Sequence, residues 1–119
     1  MVYSQNLSEY RWKNRLILLI SDTPNSPEVK SQVSLFVNES EQIDERKILV
    51  LQAFPKYYLI GYDNQVRRDS EEVYFEFSRP NQSFELLLFG LDGHIKFRSN
   101  ELVTPQKLYA IIDSMPMRQ

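Results

Sequence analysis

The sequence predicts an α/β domain in which helices pack on one mixed β-sheet. Three observations carry that prediction. Two short runs contain only apolar residues, Leu16-Ile17-Leu18-Leu19-Ile20 and Ile48-Leu49-Val50-Leu51, and suit strands buried on both faces. Between them a serine–proline start and an apolar stripe at helical spacing supply a crossover helix. Late in the chain, Asp92-Gly93 stands between two strand-like runs and marks a hairpin. The 119 residues fit one domain over residues 1–119, and 42% hydrophobic with 25% charged residues describes a folded chain rather than a disordered one.

The first strand, residues 15–21, ends at the turn-forming Asp22-Thr23-Pro24-Asn25. Ser26-Pro27-Glu28 then provides a cap, a proline at the first helical position and an acid at the positive end of the helix dipole. Val29, Val33, Phe36 and Val37 form the inward stripe, with Lys30, Gln32, Asn38 and Glu39 off it, and the helix is expected to reach Glu41. Residues 48–53 follow as a second core strand, parallel to the first through a right-handed crossover.

Residues 56–62 have strand-like composition, but Pro55 and Asp63-Asn64 confine them to a short edge strand or hairpin. Over residues 68–77 the strand propensity of Val73, Tyr74, Phe75 and Phe77 competes with the acidic start Asp69-Ser70-Glu71-Glu72, and a helix is expected. Residues 84–90 and 94–99 flank the Asp-Gly turn, whose residues tolerate positive φ angles. The second of these strands alternates, placing Ile95 and Phe97 on one face and His94, Lys96 and Arg98 on an exposed one, as at a sheet edge. Thr104-Pro105 opens the last helix, whose stripe is Leu108, Ile111, Ile112 and Met115 and which Pro116 ends. This order of elements predicts a thioredoxin-like fold: a mixed four-stranded or five-stranded sheet flanked by helices, with strands ordered 48–53, 15–21, 84–90, 94–99.

Three stretches also carry a family likeness. The opening Leu7-Ser8-Glu9-Tyr10-Arg11-Trp12-Lys13-Asn14-Arg15-Leu16 is the first. The turn Leu87-Leu88-Phe89-Gly90-Leu91-Asp92-Gly93 with Ile95-Lys96-Phe97-Arg98-Ser99, and the closing Ile111-Ile112-Asp113-Ser114-Met115-Pro116-Met117-Arg118, are the others. Together they resemble the peroxiredoxin-like domain of unknown function 4174. That family occurs in bacterial proteins and in vertebrate sushi-repeat-containing and coiled-coil-domain-containing matrix proteins. The resemblance spans nearly the whole chain and is weak over residues 54–83. It implies a thioredoxin-like fold and, for the vertebrate members, extracellular interaction roles; it implies no catalytic residue.

Chemistry is narrowed further by composition. Zero cysteines remove disulfide and peroxide chemistry, although residues 21–26 occupy the strand-to-helix loop where thioredoxin-like enzymes carry their thiol. No catalytic, cofactor-binding or metal-ligating residue is expected, and no cofactor. His94, the single histidine, reads as a solvated strand residue, and Glu39, Glu41, Asp44 and Glu45 as a solvated helix end. A formal charge of −2 gives no attraction to nucleic acid, and Lys56-Tyr57-Tyr58 and Arg67-Arg68 lie among Asp63, Asp69, Glu71 and Glu72. The longest apolar run is far below the ~20 residues of a membrane span. Met1 to Glu9 lacks the basic segment and apolar core of a secretory signal, and compartment stays open. Trp12 is expected to lid the sheet end, Met115 to close the core and Met117 to belong to the tail.

These readings converge on a non-redox thioredoxin-fold domain serving as a protein-interaction or structural module. The alternative is an enzyme or small-anion binder using residues 21–26. The candidate interaction residues are Arg98, Lys96, Asp22 and Ser26, with Arg98 expected to serve a partner or anion rather than folding.

Overall fold

A computed structural model describes residues 5–63 and 65–115. After a 3-10 helix, Gln5–Tyr10, the chain forms β1 (Arg15–Ser21), α1 (Pro27–Leu35), α2 (Ser40–Glu45), β2 (Ile48–Ala53), β3 (Tyr57–Ile60) and β4 (Val66–Asp69). It continues through α3 (Glu72–Phe77), β5 (Phe84–Phe89), β6 (Ile95–Ser99) and α4 (Pro105–Asp113). The expected ending at Pro116 and the tail reading of Met117 fall outside the described residues.

The two all-apolar runs become the centre of a six-stranded sheet ordered β4-β3-β2-β1-β5-β6. β1 pairs parallel with β2, from Arg15 opposite Ile48 to Ile20 opposite Ala53, and antiparallel with β5, from Leu16 opposite Phe89 to Ser21 opposite Phe84. Both neighbours bury it, so successive side chains pack into different layers. Ile17 and Leu19 point toward α1, α2 and α4, where they meet Val50, Phe36, Leu88 and Leu108. Leu16, Leu18 and Ile20 point toward the 3-10 helix and α3, where they meet Leu7, Val73, Phe77 and Phe89. The rings of Phe77 and Phe89 meet edge to face at 5.2 Å. Four consecutive fully buried residues, Leu16 to Leu19, make this strand intolerant of truncation; Leu18→Ala would cost about 2–5 kcal/mol.

Helix starts follow the sequence. Ser26 Oγ accepts the Val29 N–H at 3.2 Å ahead of Pro27, and Thr104 Oγ1 accepts the Lys107 N–H at 3.2 Å ahead of Pro105.

Several expectations need correction. The sheet has six strands rather than four or five. Val66 to Asp69 pairs antiparallel with β3, so the helix that was to begin at Arg68 begins at Glu72, where Ser70 Oγ accepts the Glu72 N–H at 3.2 Å. The first helix does not run to Glu41. It stops at Leu35, Asn38 turns the chain at φ 69, and α2 starts afresh, burying both Phe36 and Ile43. Asparagine tolerates that left-handed angle. Val37, expected inside, is therefore 56% exposed.

Gln32, expected off the stripe, is fully buried. Its Nε2 donates to the Val103 carbonyl at 2.8 Å and its Oε1 accepts the Val103 N–H at 2.9 Å, so one amide completes the hydrogen bonding of a buried loop residue. In the hairpin turn only Gly93 takes a positive φ, at 83. The Gly93 N–H bonds the Gly90 carbonyl and the Gly90 N–H bonds the His94 carbonyl, a three-residue loop rather than a two-residue one.

The β6 alternation also differs. Phe97 pairs with Leu88 while Ile95, two residues earlier, pairs with the adjacent Phe89. The extra residue is Lys96, and this bulge puts Ile95 and Phe97 on opposite faces.

Candidate functional site

In open α/β sheets, ligands lie outside the carboxyl ends of parallel strands, here the ends of β1 and β2. The residues 21–26 loop leaves β1 at that place. Its hydroxyls are engaged locally. Ser21 Oγ accepts the Thr23 N–H at 3.2 Å and donates to the Thr23 carbonyl at 2.9 Å, and Thr23 Oγ1 accepts the Asn25 N–H at 3.3 Å. Ser26 is buried, caps α1 and donates to Glu28 Oε1 at 3.3 Å. Asp22 is exposed on a rim between two depressions. One, of about 680 Å³, is walled by Phe75, Arg79 and Ser83, and the other, of about 250 Å³, by Pro24, Phe54 and Tyr57. Among the described residues no three His, Cys, Asp or Glu side chains gather to hold a metal ion.

Asp22 and Ser26 thus stand at this end of the sheet, but Lys96 and Arg98 do not join them in one site. Lys96 Nζ reaches Asp92 Oδ2 at 2.9 Å, and its stem crosses Gly90 so closely that a Cβ there would lie 2.7 Å from Lys96 Cε. Burial would raise the Asp92 pKa, yet the His94 N–H and the Lys96 ammonium outweigh it and hold the carboxyl below its ordinary value. Arg98 donates from Nη2 to the Phe77 carbonyl at 3.1 Å and sets Nε 3.6 Å from Glu85 Oε2.

Glu85 is the residue the sequence reading missed. It is 1% exposed on the α3 face of β5, and Arg79 binds its two carboxylate oxygens with a two-pronged grip. A lone acid inside Phe84-Glu85-Leu86-Leu87 was the available signal, because a buried carboxylate needs a cation. Arg98 therefore faces an internal acid across the strand pair. The exposed polar row expected along β6 reduces to His94, while Lys96 and Arg98 are half-buried.

The opposite edge differs. All four residues of β4 are exposed. Arg67 lies over the Tyr57 ring at 3.9 Å and donates from Nε to Asp69 Oδ1 at 2.8 Å, both side chains being well solvated. Arg68 has no hydrogen-bond or ion-pair partner among the described residues. Alongside, between α1 and β3, runs a groove of about 440 Å³ walled by Val33, Val37, Tyr57 and Leu59.

Trp12 does not lid the sheet. Its side chain is 59% exposed and its backbone, at φ 68, is held by an N–H bond of 2.7 Å to the Leu91 carbonyl. In the acidic group, Glu39 accepts the Tyr109 hydroxyl at 2.7 Å; burial and that carboxylate push the phenol well above its ordinary pKa. Arg46 stacks on the Tyr109 ring at 4.3 Å and grips Asp113 through Nε and Nη2.

A six-stranded mixed sheet with helices on both faces, no cysteine and basic residues at each edge defines a cysteine-free α/β domain. The chain belongs to the family described as domain of unknown function DUF4174, whose family model matches residues 6–119. No curated protein and no solved structure matches the chain. No helix among the described residues is long and apolar enough to cross a membrane.

Proposed function

We propose that this domain is a protein-interaction module with a thioredoxin-like, peroxiredoxin-related arrangement and no thiol chemistry, and that it engages partners along β4. The carrying observation is that β4 is an edge strand with four exposed residues and no bulge in its pairing with β3. In an antiparallel pair alternate residues turn both backbone groups away from the partner, leaving about two N–H and two C=O groups of β4 for another strand. No hydrogen bond among the described residues engages them. The strand order β2-β1-β5-β6 and the α1 crossover support the thioredoxin-like reading. The engaged hydroxyls of residues 21–26 favour a binding role over hydrolysis or anion capture there.

Two measurements test this. Purified protein should give no thiol–disulfide or peroxidase turnover. Peptides selected by display against the folded domain should shift the amide resonances of residues 66–69 on titration. Turnover by the purified chain, or selected peptides that shift residues 21–26 and leave 66–69 unmoved, would overturn the proposal.

A further inference from the structure

We infer that the segment taken up by β4 is extended and acidic, with two successive carboxylate residues set opposite Arg67 and Arg68 and an apolar residue opposite Val66. This rests on the interaction reading above and adds the partner's chemistry. Arg67 pairs with Leu59 and Arg68 with Tyr58, so the two guanidiniums project on opposite faces of the sheet. A strand added at β4 places its own residues directly across on those same faces, so consecutive acids meet consecutive arginines. The Arg68 side chain makes no hydrogen bond or ion pair among the described residues; its guanidinium lies near the Tyr10 hydroxyl, which holds Glu9, and its donors stay open to a carboxylate. Arg67 gives only its Nε to Asp69, in a solvated pair that holds weakly, and its terminal nitrogens stay available for a carboxylate. Val66, 55% exposed, offers an apolar contact at the strand's start.

A second copy of this chain fits the edge badly. Every antiparallel register that engages three or four residues of Val66-Arg67-Arg68-Asp69 with itself sets an arginine opposite an arginine. Directly opposed like charges destabilise a strand pair. The same pair that rejects self-pairing therefore selects an acidic segment, combining protection of an edge with recognition at it.

The test uses the full chain and three synthetic peptides of one length, carrying Glu-Glu-Val, Gln-Gln-Val or Lys-Lys-Val at the centre. In that order an antiparallel strand sets two acids opposite Arg68 and Arg67 and its valine opposite Val66. The Glu-Glu peptide should bind best, weaken with added salt and shift the amides of residues 66–69. Arg68→Glu should weaken that peptide about tenfold or more and invert the preference toward Lys-Lys. Its thermal midpoint should move little, since the Arg68 side chain is exposed and makes no hydrogen bond or ion pair among the described residues. A Glu-Glu peptide N-methylated at alternate positions should lose binding, because strand addition needs its N–H groups. Equal binding of all three peptides, or selected peptides of non-acidic character at residues 66–69, would overturn this inference while leaving the interaction reading intact. Undiminished binding of the methylated peptide, or of a polyanionic RNA through Arg68, would replace strand addition by simple charge attraction. A dimer in sedimentation that Arg68→Glu abolishes would overturn the inference in favour of self-pairing.

Discussion

One edge of the sheet presents Lys96 and Arg98 on β6, and the other presents Arg67 and Arg68 on β4. At β6 a bulge breaks the regular row of backbone groups, Lys96 folds over Gly90 onto Asp92, and Arg98 turns onto Glu85 and the Phe77 carbonyl. Lys107 sits 5.2 Å from the Phe97 ring, and beyond the strand Gln32 ties Val103 back to α1. β4 pairs without a bulge, and among the described residues its arginines reach no buried carboxylate. A basic residue at a strand edge thus serves the fold or the surroundings according to what lies across the strand. Glu85 and Asp92 draw the β6 cations inward, whereas Arg68 makes no ion pair among the described residues.

Substitutions on the two edges should differ in their cost to stability. The largest effect is expected at Gln32→Leu, which leaves the buried N–H and carbonyl of Val103 unsatisfied and should cost about 3 kcal/mol in urea unfolding. A cost below about 1 kcal/mol would mean that water replaces the amide and the β6 side is looser than described. Next comes Arg98→Ala. It removes one of two cations from a carboxylate that is 1% exposed, and should cost about 2 kcal/mol. Combining it with Glu85→Leu should cost less than the sum of the single changes, which a double-mutant cycle would measure.

Acid should act on the β6 side in the same direction. Asp92 titrates below the ordinary 3.8, held there by the His94 N–H and Lys96 against burial, and Asp113 does so chiefly through Arg46. A lowered carboxyl contributes stability that is full above its unfolded pKa and is lost as pH falls through the folded one. The unfolding midpoint should therefore drop as pH falls below the ordinary carboxyl value of 3.8, and Asp92→Asn should flatten part of that drop. The smallest stability effect belongs to β4, where Arg68→Ala should stay within about 0.5 kcal/mol of the parent. A larger loss would show that both edges serve the fold.

How much of this was legible in the sequence depends on how local the cause is. The β1 and β2 runs, the Ser26-Pro27 and Thr104-Pro105 starts and the hairpin were readable because neighbouring residues determine them. The break after α1 was not, since Asn38 marks it with a single left-handed residue inside an otherwise helical pattern. Nor was β4: Val66-Arg67-Arg68-Asp69 has neither apolar alternation nor strand composition, and becomes a strand because β3 offers it an edge. The roles of Lys96 and Arg98 turned on a one-residue bulge that reverses every later side chain, which no local propensity encodes. Glu85 stood in plain view as a charge in an apolar run, although its partners Arg79 and Arg98 come from different parts of the chain.

The register of the sheet also implies an order of assembly. β2, β3 and β4 follow one another along the chain through short turns, whereas Leu16 must find Phe89 and Ile20 must find Glu85 across most of the sequence. Closing such distant pairs is slow, because chain entropy is lost before the contact repays it. The β2-β3-β4 meander is therefore the part able to form early, at a time when β2 still lacks its neighbour β1 and both sides of the small sheet are open. Whenever the β4 edge stands open, its two arginines oppose pairing with the same edge of another copy, so the charge bears on the unfinished sheet as well as on the finished surface.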